Sequence, residues 1–312
     1  MDQLPILTIT LNPALDITTT TERLEPQRKL RCEAPRYDAG GGGVNVSRAI
    51  QELGGASRPF VVLGGATGDQ YLDVLRPMGL DGCIHRSAGD TRFSLTVMER
   101  STSLHYRFVL PGPSVAIDGA QLLDDIDAQI GRGGGFVVAS GSLPPGLPVD
   151  FYGQIATRTR MHGASLILDT SEPYLSAAFS ARPFCIRINH HEAQEIVGGD
   201  AIEAAEALAR QLVAAGVSEV AIITAGDQGA FVSSKDHFLK IAPPRVEVRS
   251  AVGAGDSFVA ALTLGLARGW ALEDAARYGV AAAAAAVTTE ATELCKREDA
   301  ERFYAELRQE AA

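Results

Sequence analysis

From residue 136 onward, short apolar runs alternate with longer helical patterns, and no other feature limits the possible folds as strongly. The apolar runs have the length of buried strands and lie at 136–139, 165–169, 185–188 and 220–224. The helical patterns include 202–215, 256–268, 272–287 and 297–308. Strands that alternate with helices in this way form mostly parallel sheets with helices on both faces. We therefore predict an α/β fold.

The first third of the sequence contains a second kind of pattern. Strand and helix patterns continue the scheme at 6–11, 45–53, 60–63 and 69–78. In contrast, 92–99 and 104–109 alternate apolar and polar residues, which predicts an antiparallel pair. We therefore predict a single domain, residues 1–312, that carries a small β-sheet built from about 17–37 and 92–110. Ligands of open α/β sheets bind at the carboxyl ends of the strands, where this small sheet would act as a lid.

Composition and charge exclude several classes of partner. A net charge of −10 argues against a broad nucleic-acid surface. The longest apolar stretch, 280–287, is too short to span a bilayer, and no signal-peptide pattern is visible. The spacing of the cysteines does not fit a zinc site or a disulfide framework; they are Cys32, Cys83, Cys185 and Cys295. We expect a cytoplasmic protein without nucleic-acid or membrane partners.

The strongest chemical signal is the run Ser-Ala-Val-Gly-Ala-Gly-Asp-Ser at 250–257, which leads into an uninterrupted helical pattern. Unpaired amides at a helix N-terminus attract an anion, and glycines let that anion approach the backbone. A carboxylate there can accept a hydroxyl proton while the amides stabilise charge on a transferred phosphoryl group. Asp256 is therefore a candidate catalytic base. On the motif alone, an ordinary N-cap aspartate is an equally good interpretation.

A second glycine run, at 40–43, precedes Asn45 and also leads into a helix. Four successive glycines are costly to order, which favours a ligand-binding role over a flexible turn capped by Asn45. The amide of Asn45 offers both a donor and an acceptor for sugar hydroxyls.

Several charged residues fall on the predicted lid. Each cation by itself is explained equally well as solvated surface. Together, four cations on a small part of an acidic chain are suited to gather the phosphate of an acidic substrate. The set consists of Asp16, Lys29, Arg31, Arg92 and Arg107.

The segment after the strand pattern at 185–188 reads Asn189-His-His-Glu192. An amide and a carboxylate at a strand end are suited to orient hydrated Mg²⁺. The same spacing fits a capping box equally well, with Asn189 as the helix cap. Adjacent histidines point to different sides of a helix, so we do not expect His190 and His191 to ligate a metal together.

These residues together resemble the PfkB or ribokinase-like carbohydrate kinases, and the likeness extends over nearly the whole chain. The most specific segments are 29–32, 40–46, 106–108, 140–146 and 252–257. The first three favour the branch of the family that acts on fructose 6-phosphate. The resemblance implies a ribokinase-like fold whose β-sheet lid pairs two subunits into a homodimer. It also implies MgATP-dependent transfer of the γ-phosphoryl group to the 1-hydroxyl of fructose 6-phosphate.

The resemblance further implies roles for individual residues. Asp256 would be the catalytic base, next to an anion hole formed by Gly253, Ala254 and Gly255. The sugar phosphate would contact Asp16, Lys29, Arg31, Gly41, Gly42, Asn45, Arg92, Arg107 and Ser142, some of them reaching from the lid of a second subunit. The nucleotide would contact Arg187, Thr224, Gly226 and Gly229. Asn189 and Glu192 would hold Mg²⁺ through water.

The chain departs from its relatives on the nucleotide side. His191 stands where close relatives have lysine, and Arg187 substitutes in part for another lysine. Glu293 reverses a charge near the expected nucleotide and monovalent-cation site, which speaks against the K⁺ activation that the resemblance implies.

Two alternatives remain open. A 1-phosphofructokinase or tagatose-6-phosphate kinase would share the base and the anion hole, although Gly42 and the segment 29–32 favour fructose 6-phosphate. A non-catalytic sugar-phosphate sensor is the remoter alternative, and the intact Gly-Ala-Gly-Asp run speaks against it.

Overall fold

A computed structural model of the protein describes residues 3–80, 82–112, 118–131, 133–197, 201–290 and 293–310, with the backbone alone for 201–203 and 310. Its main sheet has nine strands: β1 (Ile6–Thr10), β4 (Arg58–Gly64), β5 (Cys83–Ser87), β8 (Phe136–Ser140), β9 (Ser165–Asp169), β10 (Cys185–Asn189), β11 (Val220–Thr224), β12 (Ala230–Ser234) and β13 (Phe238–Ile241). Across the sheet their order is β13-β12-β11-β10-β9-β8-β1-β4-β5. From β11 to β5 the strands are parallel, while β12 and β13 add an antiparallel edge.

A separate four-stranded sheet lies at the carboxyl end of β1. It consists of β2 (Ala14–Thr21), β3 (Arg36–Gly40), β6 (Arg92–Glu99) and β7 (Leu104–Val109), in the order β3-β2-β6-β7. β6 and β7 form the antiparallel pair that their alternating pattern predicts. β2 joins this pair to β3, running parallel to β6 and antiparallel to β3. We call these four strands the lid sheet.

Ten helices pack around the sheets within the described ranges. They are α1 (Gly42–Glu52), α2 (Gly65–Leu75), α3 (Gly119–Asp127), α4 (Phe151–Met161), α5 (Tyr174–Ala177), α6 (His190–Val197), α7 (Ala201–Ala214), α8 (Ala254–Ala267), α9 (Leu272–Val287) and α10 (Arg297–Glu310). One core joins a face of the main sheet to α1, α8, α9 and α10, and a second core joins the other face to α3, α4 and α7. A third, smaller core packs α2 against β4 and the base of the lid sheet.

Small residues let α8 and α9 approach each other closely. A Cβ atom at Gly265 would lie 3.0 Å from the Cβ of Ala275, and one at Gly279 would lie 3.0 Å from the ring of Phe258. Because interiors are packed densely, such positions tolerate little added volume. The alanine-rich stretch at 280–287 is therefore part of an internal helix, as its sequence predicts.

The structure confirms the predicted α/β architecture: a mostly parallel sheet with helices on both faces, and a small separate sheet. Three local differences have simple causes. α1 begins at Gly42, before the predicted start at 45, because the glycines themselves form its first turn. α8 begins at Ala254 after the Gly253 cap. The edge strands β12 and β13 are short, and no periodic pattern in the sequence predicted them.

None of the described helices is both long and apolar enough to cross a bilayer.

Candidate active site

Five strands of the main sheet end at the same edge, and polar side chains lie at or just after their last residues. Asn12 follows β1, and the other four strands end at Ser140, Asp169, Asn189 and Thr224. Hydrogen bonds link several of them across the edge. Asn12 donates to Ser142 Oγ at 3.0 Å, and Ser140 Oγ donates to Asp169 at 3.4 Å. The carboxyl edge of a parallel sheet is where such folds bind ligands.

The N-termini of α1 and α8 meet at this edge. Gly253 is the N-cap of α8 and has a φ of 78°, a left-handed conformation that favours glycine. The first amides of an α-helix have no intrahelical acceptor, and no side chain of a described residue caps this end of α8. Asp256 is the third residue of the helix rather than its cap, which removes the simple N-cap interpretation of this residue. The backbone of residues 254–256 is thus available to an anion beside a carboxylate.

Asp256 carries an unusually basic carboxylate. Partial burial, followed by the nearby charge of Asp169, raises its pKa to about 7. The hydrogen bond from Asn45 Nδ2 to Asp256 Oδ2, 2.9 Å long, and the charges of Arg187 and Arg48 act in the opposite direction. A carboxylate that titrates near neutral pH is suited to accept a proton during catalysis.

Arg187 is the cation at the centre of the site. Its Nη1 donates to Asp169 Oδ1 at 3.1 Å, and its Nη2 donates to Thr224 Oγ1 at 2.7 Å. Its Nε is buried and has no partner among the described residues. A Cβ atom at Gly255 would lie only 3.0 Å from Nη1. The guanidinium therefore lies directly against the start of α8, where glycine leaves room for it.

The glycine run at 40–43 is explained by close approach of other chain segments. A Cβ atom at Gly40 would overlap the carboxylate of Asp16, and one at Gly42 would overlap Ser140 Oγ. At Gly43 it would overlap the carbonyl oxygen of Ile9, which belongs to the backbone of β1. Gly41, with φ 132°, is the N-cap of α1. These glycines are thus required by packing, whether or not a ligand also contacts them.

Asp16 lies on β2, directly opposite Asp38 on β3 and Ser94 on β6. Burial raises the pKa of Asp16, and the charges of Arg107 and Arg92 lower it. Its Oδ1 atom is buried and has no hydrogen-bond partner in the part of the chain that the structure describes. An unpartnered buried carboxylate oxygen is costly, and a ligand hydroxyl would satisfy it.

The predicted lid cations divide into two groups. Arg92 donates to the carbonyl of Asn12 at 3.1 and 3.3 Å, and Arg107 donates to Ser94 Oγ at 3.4 Å, so both lie near Asp16. Lys29 and Arg31, in contrast, are exposed on the segment that connects β2 to β3. The structure brings the first pair to the site edge and leaves the second pair facing solvent.

Asn189 and Glu192 form a capping box at the start of α6. Asn189 Oδ1 accepts from the amides of His191 and Glu192, each at 2.9 Å, and Glu192 Oε2 accepts from the Asn189 amide at 2.8 Å. The other carboxylate oxygen of Glu192 has no hydrogen-bond partner among the described residues. Burial and the charge of Asp169 raise the pKa of Glu192. In the described part of the chain, no group of three or more His, Cys, Asp or Glu residues is arranged to hold a metal.

The glycines predicted to line the nucleotide lie in the turn between β11 and β12. Gly226 has φ 54° and open space around it. Gly229 has φ 83°, and a Cβ there would overlap the Ile241 carbonyl. Gly229 is therefore needed for the turn itself.

Two residues of this site were not singled out from the sequence, Asp169 and Arg48. Asp169 ends the strand predicted at 165–169, and its strand-end position was the signal that could have identified it. Arg48 gave no comparable signal, because its importance depends on the contact between α1 and α8.

The chain is similar in sequence to known proteins. Residues 2–299 match the family model described as pfkB family carbohydrate kinase. The ATP-dependent 6-phosphofructokinase isozyme 2 of Mycobacterium tuberculosis H37Rv is 42% identical over 302 residues, which cover 96% of this chain and 88% of that protein. The 1-phosphofructokinase of Xanthomonas campestris pv. campestris is 36% identical over 270 residues, which cover 84% of each chain.

The fold is also similar to that of solved structures, which confirms the predicted ribokinase-like architecture. The crystal structure of phosphofructokinase-2 from Escherichia coli in complex with fructose-6-phosphate has a TM-score of 0.88 and 35% identity, covering 98% of this chain and 99% of that chain.

Proposed function

Since this chain belongs to the pfkB family of carbohydrate kinases, we propose that it transfers the γ-phosphoryl group of ATP to the 1-hydroxyl of fructose 6-phosphate. One observation carries the proposal: Asp256, a carboxylate with a pKa raised to about 7, lies beside the free amides at the start of α8. A base and an anion hole at one point are the two requirements of phosphoryl transfer to a hydroxyl.

In the proposed reaction, the Asp256 carboxylate accepts the proton of the sugar hydroxyl. The hydroxyl oxygen forms a bond to the γ-phosphorus as the bond between that phosphorus and the β,γ-bridging oxygen breaks. Backbone amides of residues 254–256 stabilise negative charge on the phosphoryl oxygens, and Arg187, against Gly255, adds a positive charge there. The products are ADP and fructose 1,6-bisphosphate.

The sugar phosphate is proposed to lie between the lid sheet and α1. The unpartnered Oδ1 of Asp16 accepts a sugar hydroxyl, with Asn45, Gly41, Gly42 and Ser142 around the ring. Arg92 and Arg107 hold the phosphate side. Lys29 and Arg31 are exposed, which suits a role across an interface between two lids.

Magnesium is the expected companion of ATP in this site. Glu192, whose pKa is raised by burial and by Asp169, would gain from a nearby divalent cation and keeps one oxygen available to its water shell. The Asn189 oxygen already accepts two helix amides, so Asn189 would act by fixing Glu192. When bound, Mg²⁺ would neutralise charge on the ATP phosphates.

Thr224 and the turn with Gly226 and Gly229 are proposed to lie along the nucleotide. We assign no residue to K⁺.

A second candidate function is phosphorylation of fructose 1-phosphate at its 6-hydroxyl. The relative from Xanthomonas, named a 1-phosphofructokinase, supports it. The same base and anion hole would serve, since only the orientation of the sugar would change. A tagatose 6-phosphate kinase would likewise share them.

The substrate panel that separates these functions is ADP release with fructose 6-phosphate, fructose 1-phosphate and tagatose 6-phosphate. We expect the highest kcat/KM with fructose 6-phosphate. A higher value with fructose 1-phosphate would overturn the assignment in favour of the second candidate. Tight binding of a sugar phosphate without turnover would instead support a sensor.

We further propose that two chains form a homodimer through the lid sheet. On β7, Arg107 faces Asp16, so its neighbours Tyr106 and Phe108 point to the opposite side. Phe108 and Leu104 are both more than half exposed, which is unusual for apolar side chains on a sheet unless a partner covers them.

The proposed compartment is the cytoplasm, where ATP is available and the four free thiols stay reduced.

A further inference from the structure

Arg48 lies on α1, one turn after Asn45, and takes part in a chain of three polar groups that ends at Asp256. Its Nη1 donates to Asn45 Oδ1 at 3.3 Å, and Asn45 Nδ2 donates to Asp256 Oδ2 at 2.9 Å. The guanidinium, the amide and the carboxylate thus follow one another from the middle of α1 to the start of α8.

The two outer groups leave the amide a single orientation. A guanidinium can only donate hydrogen bonds, and an ionised carboxylate can only accept them. The Asn45 oxygen must therefore face Arg48, and the nitrogen must face Asp256. If Arg48 is removed, the amide is free to rotate and present its oxygen to the carboxylate, where it would repel the ionised form.

We propose that Arg48 is a positioning residue of the active site, which holds the Asn45 amide toward Asp256 and so stabilises the ionised base. This inference rests on the proposed role of Asp256, although its key measurement needs no turnover. Arg48 makes its hydrogen bond to Asn45 and none to Asp256 among the described residues, so it acts on the carboxylate through Asn45 and through its charge.

The charges around Asp256 support this assignment. Asp169 on β9 raises the pKa of Asp256, whereas Arg187 on β10 and Arg48 on α1 lower it. Arg187 is already paired with Asp169 at 3.1 Å, so part of its charge is offset. Arg48 makes no ion pair with a described residue. Tyr71 on α2 is a further titratable neighbour of Arg48, and burial and the charge of Asp16 keep Tyr71 neutral by raising its pKa.

The direct test is a titration of the Asp256 carboxyl by ¹³C NMR in protein labelled at aspartate, with Asp256→Asn to assign the signal. In Arg48→Met we expect the midpoint of Asp256 to rise by about one pH unit, the low end for loss of a nearby opposite charge. Arg48→Lys, which keeps the charge, should show a smaller rise. Arg210→Met, an exposed arginine on α7, should show none. An unchanged midpoint in Arg48→Met would overturn the proposal.

Kinetics provide a second readout that separates this inference from the proposed function. The acid limb of kcat/KM for fructose 6-phosphate should move upward in Arg48→Met by the same interval as the NMR midpoint, with the KM for ATP unchanged. If the wild-type protein has no kinase activity, the proposed function fails while the titration still decides the role of Arg48. If Arg48→Met does not fold, Arg48→Gln takes its place in both measurements.

Discussion

Burial and the charge of Asp169 raise the pKa of Asp256 to about 7, which places the proposed base at its midpoint near neutral pH. Only the ionised carboxylate can accept the hydroxyl proton. Asp256 therefore stops acting as a base as pH falls through about 7. An ordinary aspartate would stay ionised down to a pH of about 4.

We predict an acid limb in the pH profile of kcat/KM with an apparent pKa of about 7, since kcat/KM reports on groups of the free enzyme. Steady-state rates with fructose 6-phosphate, measured across the pH range at constant ionic strength, check it. A profile that stays flat down to the range of an ordinary aspartate would contradict the environment described for Asp256.

The glycine run gives a second prediction for single residues. In Gly43→Ala, the added methyl group would overlap the Ile9 carbonyl, which cannot move without distorting β1. We expect a loss of about 1–3 kcal/mol in the free energy of unfolding, typical of overpacking. The matched control is Gly119→Ala in the first turn of α3, where the nearest atom is 3.5 Å away. Equilibrium denaturant unfolding compares the two, and equal effects would refute the packing explanation.

At the scale of single residues, the sequence singled out candidate residues that stand in recognisable runs, including Asp256, Asn45 and Asn189. It did not separate the possible reasons for the glycines, because close approach of Ser140 or Ile9 is a property of the folded chain. It also did not identify Arg48 or Asp169. Their importance depends on which strand end or helix lies opposite Asp256, and a single sequence does not contain that information.

Two helices offer a matched test at the scale of elements. Both α3 and α4 are preceded by an aspartate, but only Asp118 caps its helix, accepting from the amides of Ala120 and Gln121 at 3.1 Å. The Asp150 carboxylate accepts from no backbone amide of α4; among the described residues it accepts from the side chain of Gln154 alone.

We expect Asp118→Ala to lower the free energy of unfolding by about 1 kcal/mol, the usual cost of losing an N-cap. Asp150→Ala should cost less than about 0.5 kcal/mol, as is usual for surface substitutions. Urea unfolding monitored by circular dichroism distinguishes them. A larger loss for Asp150→Ala would show that the capping geometry does not control these helix ends.

Elements with strong periodicity were predicted from the sequence with bounds close to those observed, for example β6, β7 and α9. Elements that lack such a pattern were not predicted from the sequence. The edge strands β12 and β13 pair only with each other and β11, and their sequence is too short and mixed to show a period. Their existence depends on the free edge that β11 offers.

At the scale of the whole molecule, the alternation of strand and helix patterns was sufficient to predict the parallel sheet and its two helical layers. The path of the lid sheet was not predictable in the same detail, since β2 pairs in parallel with β6 from a distant part of the chain. Whether a second chain covers the exposed face of β7 is likewise a property of the assembly.

The proposed homodimer is tested by Phe108→Glu. Phe108 is 51% exposed on β7, and a buried charge at an interface is strongly unfavourable. We expect the wild-type protein to sediment as a dimer and the variant as a monomer with a raised KM for the sugar phosphate. The control is Met161→Glu, which should remain dimeric: Met161 is 74% exposed at the end of α4, a helix that packs against α3 and β9. A monomeric wild-type protein would contradict the lid interface.

The central claim is that Asp256 is the base of a sugar-phosphate kinase, and its most direct test is the kcat of Asp256→Asn with ATP and fructose 6-phosphate. The substitution keeps the size of the side chain and removes the proton acceptor. We predict a fall in kcat of about 10²–10⁴-fold, the usual contribution of a general base, whereas Asp150→Asn should be unaffected. A kcat of Asp256→Asn close to that of the wild-type protein would contradict the account.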